Sequence, residues 1–220
     1  VLKSTLEATS IWLNKVFPYL FIMIIIQDLL INLNFSSYFK STALYIFIMS
    51  LLSGSPSGTY IVSKLKSQNI ITKEYANTCL IFTYFANPLF LYTILNNIFK
   101  NKFITIKLIL ILYLTNLLLY LFYKKNLPSK GKFINTNDIN LSTSIKTSMN
   151  TTITILGVIT FYLILSNIII KEFNIVYPFN IFFKGFLEMT QGLTSLINID
   201  IKFKEVIAIT FISFGGLSIH

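Results

Sequence analysis

The chain alternates between apolar segments and short polar linkers that are rich in lysine. Apolar residues dominate residues 11–33, 41–62, 73–98, 103–123 and 151–170. A helix needs about 20 mainly apolar residues to cross a bilayer, and these segments approach or exceed that length. The pattern therefore predicts an all-α, polytopic integral membrane protein.

Several segments are interrupted by residues that do not continue a smooth helix. The first interruption is Ser53-Gly54-Ser55-Pro56-Ser57-Gly58, in which Pro56 lacks a backbone donor and clashes with the preceding turn. Others fall at residues 84–88, 190–192 and 213–218. Backbone groups freed at membrane depth need partners in protein or in a water-filled cavity. Transporters use such broken or re-entrant helices to hold substrate, so we expect these half-helix ends to form a central polar site.

The interruptions recur at corresponding positions along the chain. Residues 11–98 form a first repeat-like half and residues 151–220 a second, separated by a span and a polar loop at residues 99–150. The turn at 54–58 corresponds to Gln191-Gly192 in the second half. Paired interruptions of this kind indicate a repeat-built transporter core. We therefore expect one transmembrane domain, residues 1–220, made of two similar, inverted halves.

Composition supports the membrane interpretation. Hydrophobic residues make up 54% of the chain and charged residues only 12%, with a mean hydropathy of +0.71. A soluble domain carries about twice that share of charge. The net charge of +10 comes from lysines spread through the linkers, as expected beside membrane spans, so the expected partner is a lipid bilayer and not nucleic acid.

Residue types that carry catalysis or bind metals are scarce. Cys79 is the single cysteine and His220 the single histidine, and no His/Cys/Asp/Glu cluster accompanies them. The sequence also lacks a Ser-His-Asp arrangement, paired catalytic carboxylates and a dinucleotide fingerprint. We therefore expect no enzyme activity, no metal and no cofactor. The chain starts at Val1 and stops directly after an apolar segment, which favours a fragment of a longer protein.

Two acidic residues within apolar surroundings are candidate binding groups. A carboxylate such as Asp28 costs about 2.5 kcal/mol or more at mid-helix, which favours a function. The alternative is that Asp28 lies near the end of its span and reaches water. Glu188 is a candidate for a solute or an ion, but it follows Lys184 by four residues, and the two could simply pair on one helix face.

The interruptions themselves supply the other candidates. Asn87 offers hydrogen-bond donors and an acceptor beside carbonyls that Pro88 frees. A packing kink satisfied by a neighbouring helix and close helix contacts at the glycines are the alternatives. The candidate substrate-binding residues at the interruptions are Ser53, Gly54, Pro56, Gly58, Thr83, Asn87, Pro88, Thr190, Gly192, Gly215, Gly216 and Ser218.

Five short motifs occur in a fixed order and suggest a family. They are Ser53-Gly54-x-Pro56-x-Gly58, Ile71-Thr72-Lys73-Glu74-Tyr75-Ala76, Asn87-Pro88-Leu89-Phe90, Leu187-Glu188-Met189-Thr190-x-Gly192 and Gly215-Gly216-Leu217-Ser218-x-His220. Together they resemble the sporulation integral membrane protein family YlbJ, within the nucleoside-recognition, or Gate, group of membrane domains. Tyr84 and Phe85 depart from the family, which usually carries asparagines there.

The resemblance implies a role in spore formation and a place in the bacterial cell membrane. We expect a permease-like protein that binds a nucleoside, another small polar solute or a cation. The alternative is a non-transporting scaffold for assembly of the spore envelope, in which the interruptions serve helix packing alone. Its partners would be further copies of the chain or other sporulation membrane proteins.

Overall fold

The computed structural model describes residues 2–33, 35–54, 57–127, 141–197 and 199–219, so Pro56 and His220 lie outside the described residues. Every regular element in these ranges is a helix, which confirms the all-α class. The α-helices are α1 Leu2–Ile11, α2 Phe17–Asn32, α3 Thr42–Ser53, α4 Ser57–Ser67, α5 Lys73–Phe82, α6 Pro88–Phe99, α7 Lys102–Tyr123, α8 Leu141–Glu172, α9 Phe179–Leu187, α10 Met189–Ser195 and α11 Lys204–Phe214.

The helices form two compact units, each assembled from separate stretches of sequence. Unit 1 comprises Val1–Pro18, Leu89–Ile109 and Thr151–His220. Unit 2 comprises Tyr19–Pro88 and Leu110–Asn150. Each unit contains its own glycine-containing helix pair and its own interrupted segment, and each is described separately below.

In unit 2, α3 and α4 form a helical hairpin. The chain turns at Gly54, whose φ of +76° is a conformation that glycine adopts without steric strain. A Cβ added at Gly58 would lie 2.7 Å from Ser50 Oγ, which places the start of α4 directly against the end of α3. Each helix is about 18 Å long or less and cannot cross a hydrocarbon core of about 30 Å. Residues 41–62 therefore form a hairpin and not one interrupted span.

An aromatic cluster holds the interrupted segment of unit 2 beside this hairpin. Phe47 of α3 stacks on Tyr120 of α7, with ring centroids 4.6 Å apart, and meets the edge of Phe85 at 5.4 Å. Phe82, the last residue of α5, contacts the same Tyr120 ring at 5.4 Å. All four rings belong to the buried core of the unit. Since Phe85 lies in the interruption between α5 and α6, this packing fixes the backbone of that interruption.

In unit 1, α9 and α10 form a second hairpin, packed through glycine. The prediction of an interruption at residues 190–192 was wrong, since these residues belong to α10 and the chain turns at Glu188. A Cβ added at Gly192 would lie 2.3 Å from the Cα of Gly185, and Phe211 of α11 covers the same contact. Only glycine allows backbones to approach so closely. Helix α11 ends at Phe214, within the interruption predicted at residues 213–218, and Gly215 and Gly216 after it both have positive φ.

Helix α8 differs from the sequence prediction. It begins at Leu141, ten residues before the predicted start of the span at residue 151, so residues 141–150 are helix and not loop. Hydroxyl groups in this stretch bond the preceding turn, as in the 2.8 Å bond from Ser148 Oγ to the carbonyl of Ser144. Ser144, Ser148 and Thr152 are fully buried at four-residue spacing. A hydropathy pattern assigns such a polar stretch to a loop, even though the stretch is a helix whose polar face is buried.

Two of the described helices are long and apolar enough to cross a membrane. They are α7 and α8, and only 17% of the most apolar window of each is buried within the protein. The other apolar helices, Leu20–Asn32, Thr42–Ser53 and Pro88–Phe99, are shorter.

Candidate functional site

The predicted residues at the first two interruptions come together in unit 2. The side-chain amide of Asn87 donates a 3.0 Å hydrogen bond to the carbonyl oxygen of Ser53. A Cβ added at Gly54 would lie 2.3 Å from the backbone nitrogen of Asn87, so the hairpin turn touches the interruption. A Cβ at Gly58 would lie 2.9 Å from the carbonyl oxygen of Thr83. Pro88 then begins α6 as its first residue, a position that suits proline.

Two residues outside the candidate list complete this group. Gln27 of α2 donates a hydrogen bond from Nε2 to Ser53 Oγ, and Ser57 is the first residue of α4. Ser57 lies within the first interruption, whereas Gln27 stands at no motif position, and its signal in the sequence is a glutamine directly before Asp28 in an apolar segment. We call the set Gln27, Ser53, Ser57, Thr83 and Asn87 the neutral cluster, since none of its side chains carries a formal charge. All five are at most 6% exposed.

The neutral cluster is incompletely hydrogen-bonded. Gln27 Oε1, Ser57 Oγ and Thr83 Oγ1 are buried and have no hydrogen-bond partner among the described residues. Leaving a buried polar group unpaired costs about 1–3 kcal/mol, so nearly all such groups in folded proteins find partners. Three unpaired atoms around one helix interruption mark a place where a ligand or ordered water would complete the bonding.

Asp28 also lies in unit 2, but its hydrogen bonds go to residues outside the neutral cluster. Its Oδ1 accepts hydrogen bonds from the Tyr60 hydroxyl and the Lys64 ammonium, and Lys64 forms an ion pair with it. Its Oδ2 accepts from Ser144 Oγ at 2.6 Å and from Asn32 Nδ2 at 3.5 Å. A carboxylate has about four acceptor sites, and these four donors fill them. In this conformation Asp28 has no free site for a cation.

An open polar cleft adjoins this ion pair. It has a volume of about 470 Å³ and lies where α2, α4 and the start of α8 meet within unit 2. All nine residues that line it are polar, and the only two with charged side chains are Asp28 and Lys64. We call it the polar cleft.

In unit 1, the carboxylate of Glu188 caps α10. Oε1 accepts a 3.0 Å hydrogen bond from the Thr190 amide, while Oε2 accepts from the Gln191 amide at 2.9 Å and from the Thr190 hydroxyl. A carboxylate at a helix start satisfies backbone donors that the helix leaves free. The carboxylate therefore bonds α10 and not Lys184.

The last interruption lies against this cap. A Cβ added at Gly216 would lie 2.9 Å from Glu188 Cα. The backbone amides of Leu217 and Ser218 donate to the carbonyls of Phe186 and Leu187 at 2.9 and 3.1 Å. The structure thus brings Glu188, Thr190, Gly192, Gly215, Gly216 and Ser218 together within unit 1.

Gln191, which the sequence analysis named as part of a turn and not as a binding residue, joins this group. Its Oε1 accepts a 2.7 Å hydrogen bond from Ser166 of α8, whereas its buried Nε2 has no partner among the described residues. In the described ranges, no group of three or more His, Cys, Asp and Glu side chains is placed to hold a metal ion.

No family model, no curated protein and no solved structure matches this sequence. The resemblance to the YlbJ family therefore stays a prediction that rests on the motifs.

Proposed function

We propose that this protein is a transporter-like integral membrane protein in which the neutral cluster of unit 2 binds a small polar solute. The observation that carries the proposal is the group of three buried atoms, on Gln27, Ser57 and Thr83, that have no hydrogen-bond partner within the described ranges. A packing interface gains nothing from leaving them unpaired, whereas a solute site needs donors and acceptors that are free until the solute binds.

The apolar surfaces of α7 and α8 support a membrane location. Both helices are long enough to span a bilayer, and only 17% of each apolar window is buried within the protein. A core helix of a soluble protein would be mostly buried, and large exposed apolar surfaces mark contact with membrane or partners. On α7 the exposed side chains include Phe103, Leu114, Leu118 and Phe122.

The same local arrangement in both units supports a repeat-built core. In unit 2, the hairpin of α3 and α4 is followed by α5 and then by the interruption that touches the hairpin turn. In unit 1, the hairpin of α9 and α10 is followed by α11 and then by the interruption at Gly215-Gly216, which touches the turn at Glu188. Interrupted helices paired in this way are typical of transporter binding sites.

The motif resemblance supports a role in sporulation and a nucleoside as one class of solute to test. The competing proposal is a non-transporting scaffold, in which the glycine contacts serve packing alone. The two proposals differ in whether a solute binds at the unpaired hydroxyl groups.

Thermal unfolding of the purified protein in detergent tests this difference. A panel of nucleosides, nucleobases, small acids and cations is added to the wild type and to Ser57→Ala and Thr83→Val. A solute that binds the folded state raises its stability, by about 2.7 kcal/mol at a concentration 100-fold above Kd. The matched control is Thr93→Val, which removes an exposed hydroxyl that bonds only its own helix at Leu89 O.

We expect at least one solute to raise the midpoint of the wild type and of Thr93→Val, and to lose its effect in Ser57→Ala and Thr83→Val. An equal rise in all four proteins would move the site away from the neutral cluster. No rise with any member of the panel would favour the scaffold.

A further inference from the structure

We propose that the polar cleft is the entrance through which an uncharged polar solute reaches the neutral cluster, and that the Asp28–Lys64 ion pair closes its inner end. The inference rests on the proposed function, since it gives the solute site a route and a substrate class. Its test uses no solute and can therefore fail independently.

Helix α4 connects the cleft with the cluster through one polar face. Ser57, Tyr60, Lys64 and Ser67 are spaced by three, four and three residues, which places them on the same side of a helix. Val62 lies on the opposite side, Ile61 and Leu65 flank the polar face, and all three are buried in the core of unit 2. A polar face along a helix in an apolar environment is stable only beside protein polar groups or water.

Exposure rises steadily along this face. Ser57 is completely buried, the Lys64 side chain is 18% exposed, and Ser67 is exposed. The ten steps from Ser57 to Ser67 span about 15 Å at 1.5 Å per residue. The face therefore leads from an unpaired hydroxyl in the neutral cluster to the open cleft.

The ion pair lies between these two ends. Asp28 of α2 joins Tyr60 and Lys64 of α4 and Ser144 of α8, so one carboxylate holds three helices together across the route. Tyr60 and Lys64 belong to the polar face itself. Separating the Lys64 ammonium from Asp28 would free the path that their side chains occupy.

The charges along the route indicate the class of solute. Asp28 and Lys64 neutralise one another, and the carboxylate has no acceptor site left for a cation. Beyond the pair, the neutral cluster offers one unpaired amide oxygen and two unpaired hydroxyl groups. A charged solute would pay the desolvation of its charge without a counter-charge at the cluster. The solute that fits is uncharged and carries both hydrogen-bond donors and acceptors.

Thiol accessibility in membrane vesicles tests the route. The buried Cys79 is first replaced by alanine, and single cysteines are then introduced as Ser67→Cys at the mouth, Ser57→Cys at the inner end and Val62→Cys on the apolar side of α4. The probe is a small, uncharged, polar methanethiosulfonate reagent, which matches the class of solute that fits the route. Each variant is examined with the ion pair intact and in the double replacement Asp28→Asn and Lys64→Met, which leaves no unpaired buried charge.

We expect Ser67→Cys to react readily in both backgrounds and Val62→Cys to stay unreactive in both. Ser57→Cys should react slowly with the pair intact and about tenfold faster or more without it, because a minor open state of this kind is populated at roughly 0.1–10%. An unchanged rate at Ser57→Cys would overturn the proposal. So would an equal acceleration at Val62→Cys, since that would reflect general loosening of unit 2.

The accessibility test separates this inference from the proposed function. If a solute raises the unfolding midpoint in a way that depends on Ser57, but removal of the ion pair does not change labelling at Ser57→Cys, the solute site is supported and the entrance is rejected. If removal of the ion pair accelerates labelling at Ser57→Cys, but no solute raises the unfolding midpoint, the route is supported and binding of the tested solutes is rejected.

Discussion

The side-chain amide of Asn87 lies 3.0 Å from the carbonyl oxygen of Ser53, joining the interruption after α5 to the last residue of α3 across 34 positions of sequence. The carbonyl lies at a helix end, where the helix itself supplies no donor. Asn87 therefore replaces a helical hydrogen bond that the turn at Gly54 removes. This contact connects the hairpin of unit 2 with its interrupted segment.

Replacing Asn87 by alanine should lower the free energy of unfolding by about 1–3 kcal/mol, because the buried Ser53 carbonyl loses its donor. Asn97→Ala is the matched control, since Asn97 is an exposed residue of α6 and its replacement should change stability by no more than about 0.5 kcal/mol. Thermal unfolding in one detergent compares the two variants. Equal midpoints for both would contradict a supporting role for the Asn87 side chain.

The two glycines Gly54 and Gly157 should respond to alanine in opposite directions. At Gly54 the φ of +76° disfavours a side chain, and the new Cβ would lie 2.3 Å from a backbone nitrogen, so Gly54→Ala should prevent stable folding of the hairpin. At Gly157 nothing lies within 4 Å of the new Cβ, and alanine should stabilise α8 by about 0.5–1 kcal/mol. Expression level and unfolding midpoint report both effects. A Gly54→Ala protein as stable as the wild type would refute the close contact at the turn.

Glu188→Gln should destabilise the hairpin of unit 1. The carboxylate accepts hydrogen bonds at both oxygens, whereas the amide would turn an NH₂ group toward one set of donors. We expect a loss of about 1–3 kcal/mol. The control is Glu205→Gln, which weakens an exposed 3.7 Å ion pair with Lys107 and should cost less than about 1 kcal/mol. A larger loss for Glu205→Gln than for Glu188→Gln would contradict the capping role.

A double-mutant cycle measures the Asp28–Lys64 pair. Asp28→Asn alone should cost about 3–5 kcal/mol, because it leaves the partly buried Lys64 ammonium without its counter-charge. Adding Lys64→Met should recover much of that loss, since no charge then remains unpaired. Unfolding midpoints of the four proteins give the coupling energy. Strictly additive losses would show that the two side chains act independently.

Local features of the fold could be predicted from sequence because their causes are local. Thr72 caps α5 through a 3.2 Å bond from the Tyr75 amide, and threonine directly before a helix is a common N-cap. The interruption before Pro88 and the helix end at Gly215-Gly216 also lie where the sequence placed them. Glycine and proline restrict or release the backbone of their own residue, so their effect needs no distant partner.

Other features depended on which segments meet in space. Hydropathy alone suggested one interrupted span over residues 41–62, but contact between Gly58 and Ser50 makes two short antiparallel helices there. The polar start of α8 read as a loop because its serine and threonine face is buried against protein. A hydropathy window reports composition and does not distinguish a polar face that is buried from one that is solvated.

The sequence by itself determined that the chain is helical, that its helices break at Gly54, before Pro88 and at Gly215-Gly216, and which polar residues stand there, but the break predicted at residues 190–192 lies at Glu188 instead. Only the tertiary structure brought Gln27 to Ser53, left Ser57 and Thr83 unpaired, and gave Asp28 the partners Lys64 and Ser144, which lie 36 and 116 residues away. The physical reason is range: backbone preferences act within a few residues, whereas the partner of a buried polar group is whichever side chain packing places within hydrogen-bond distance.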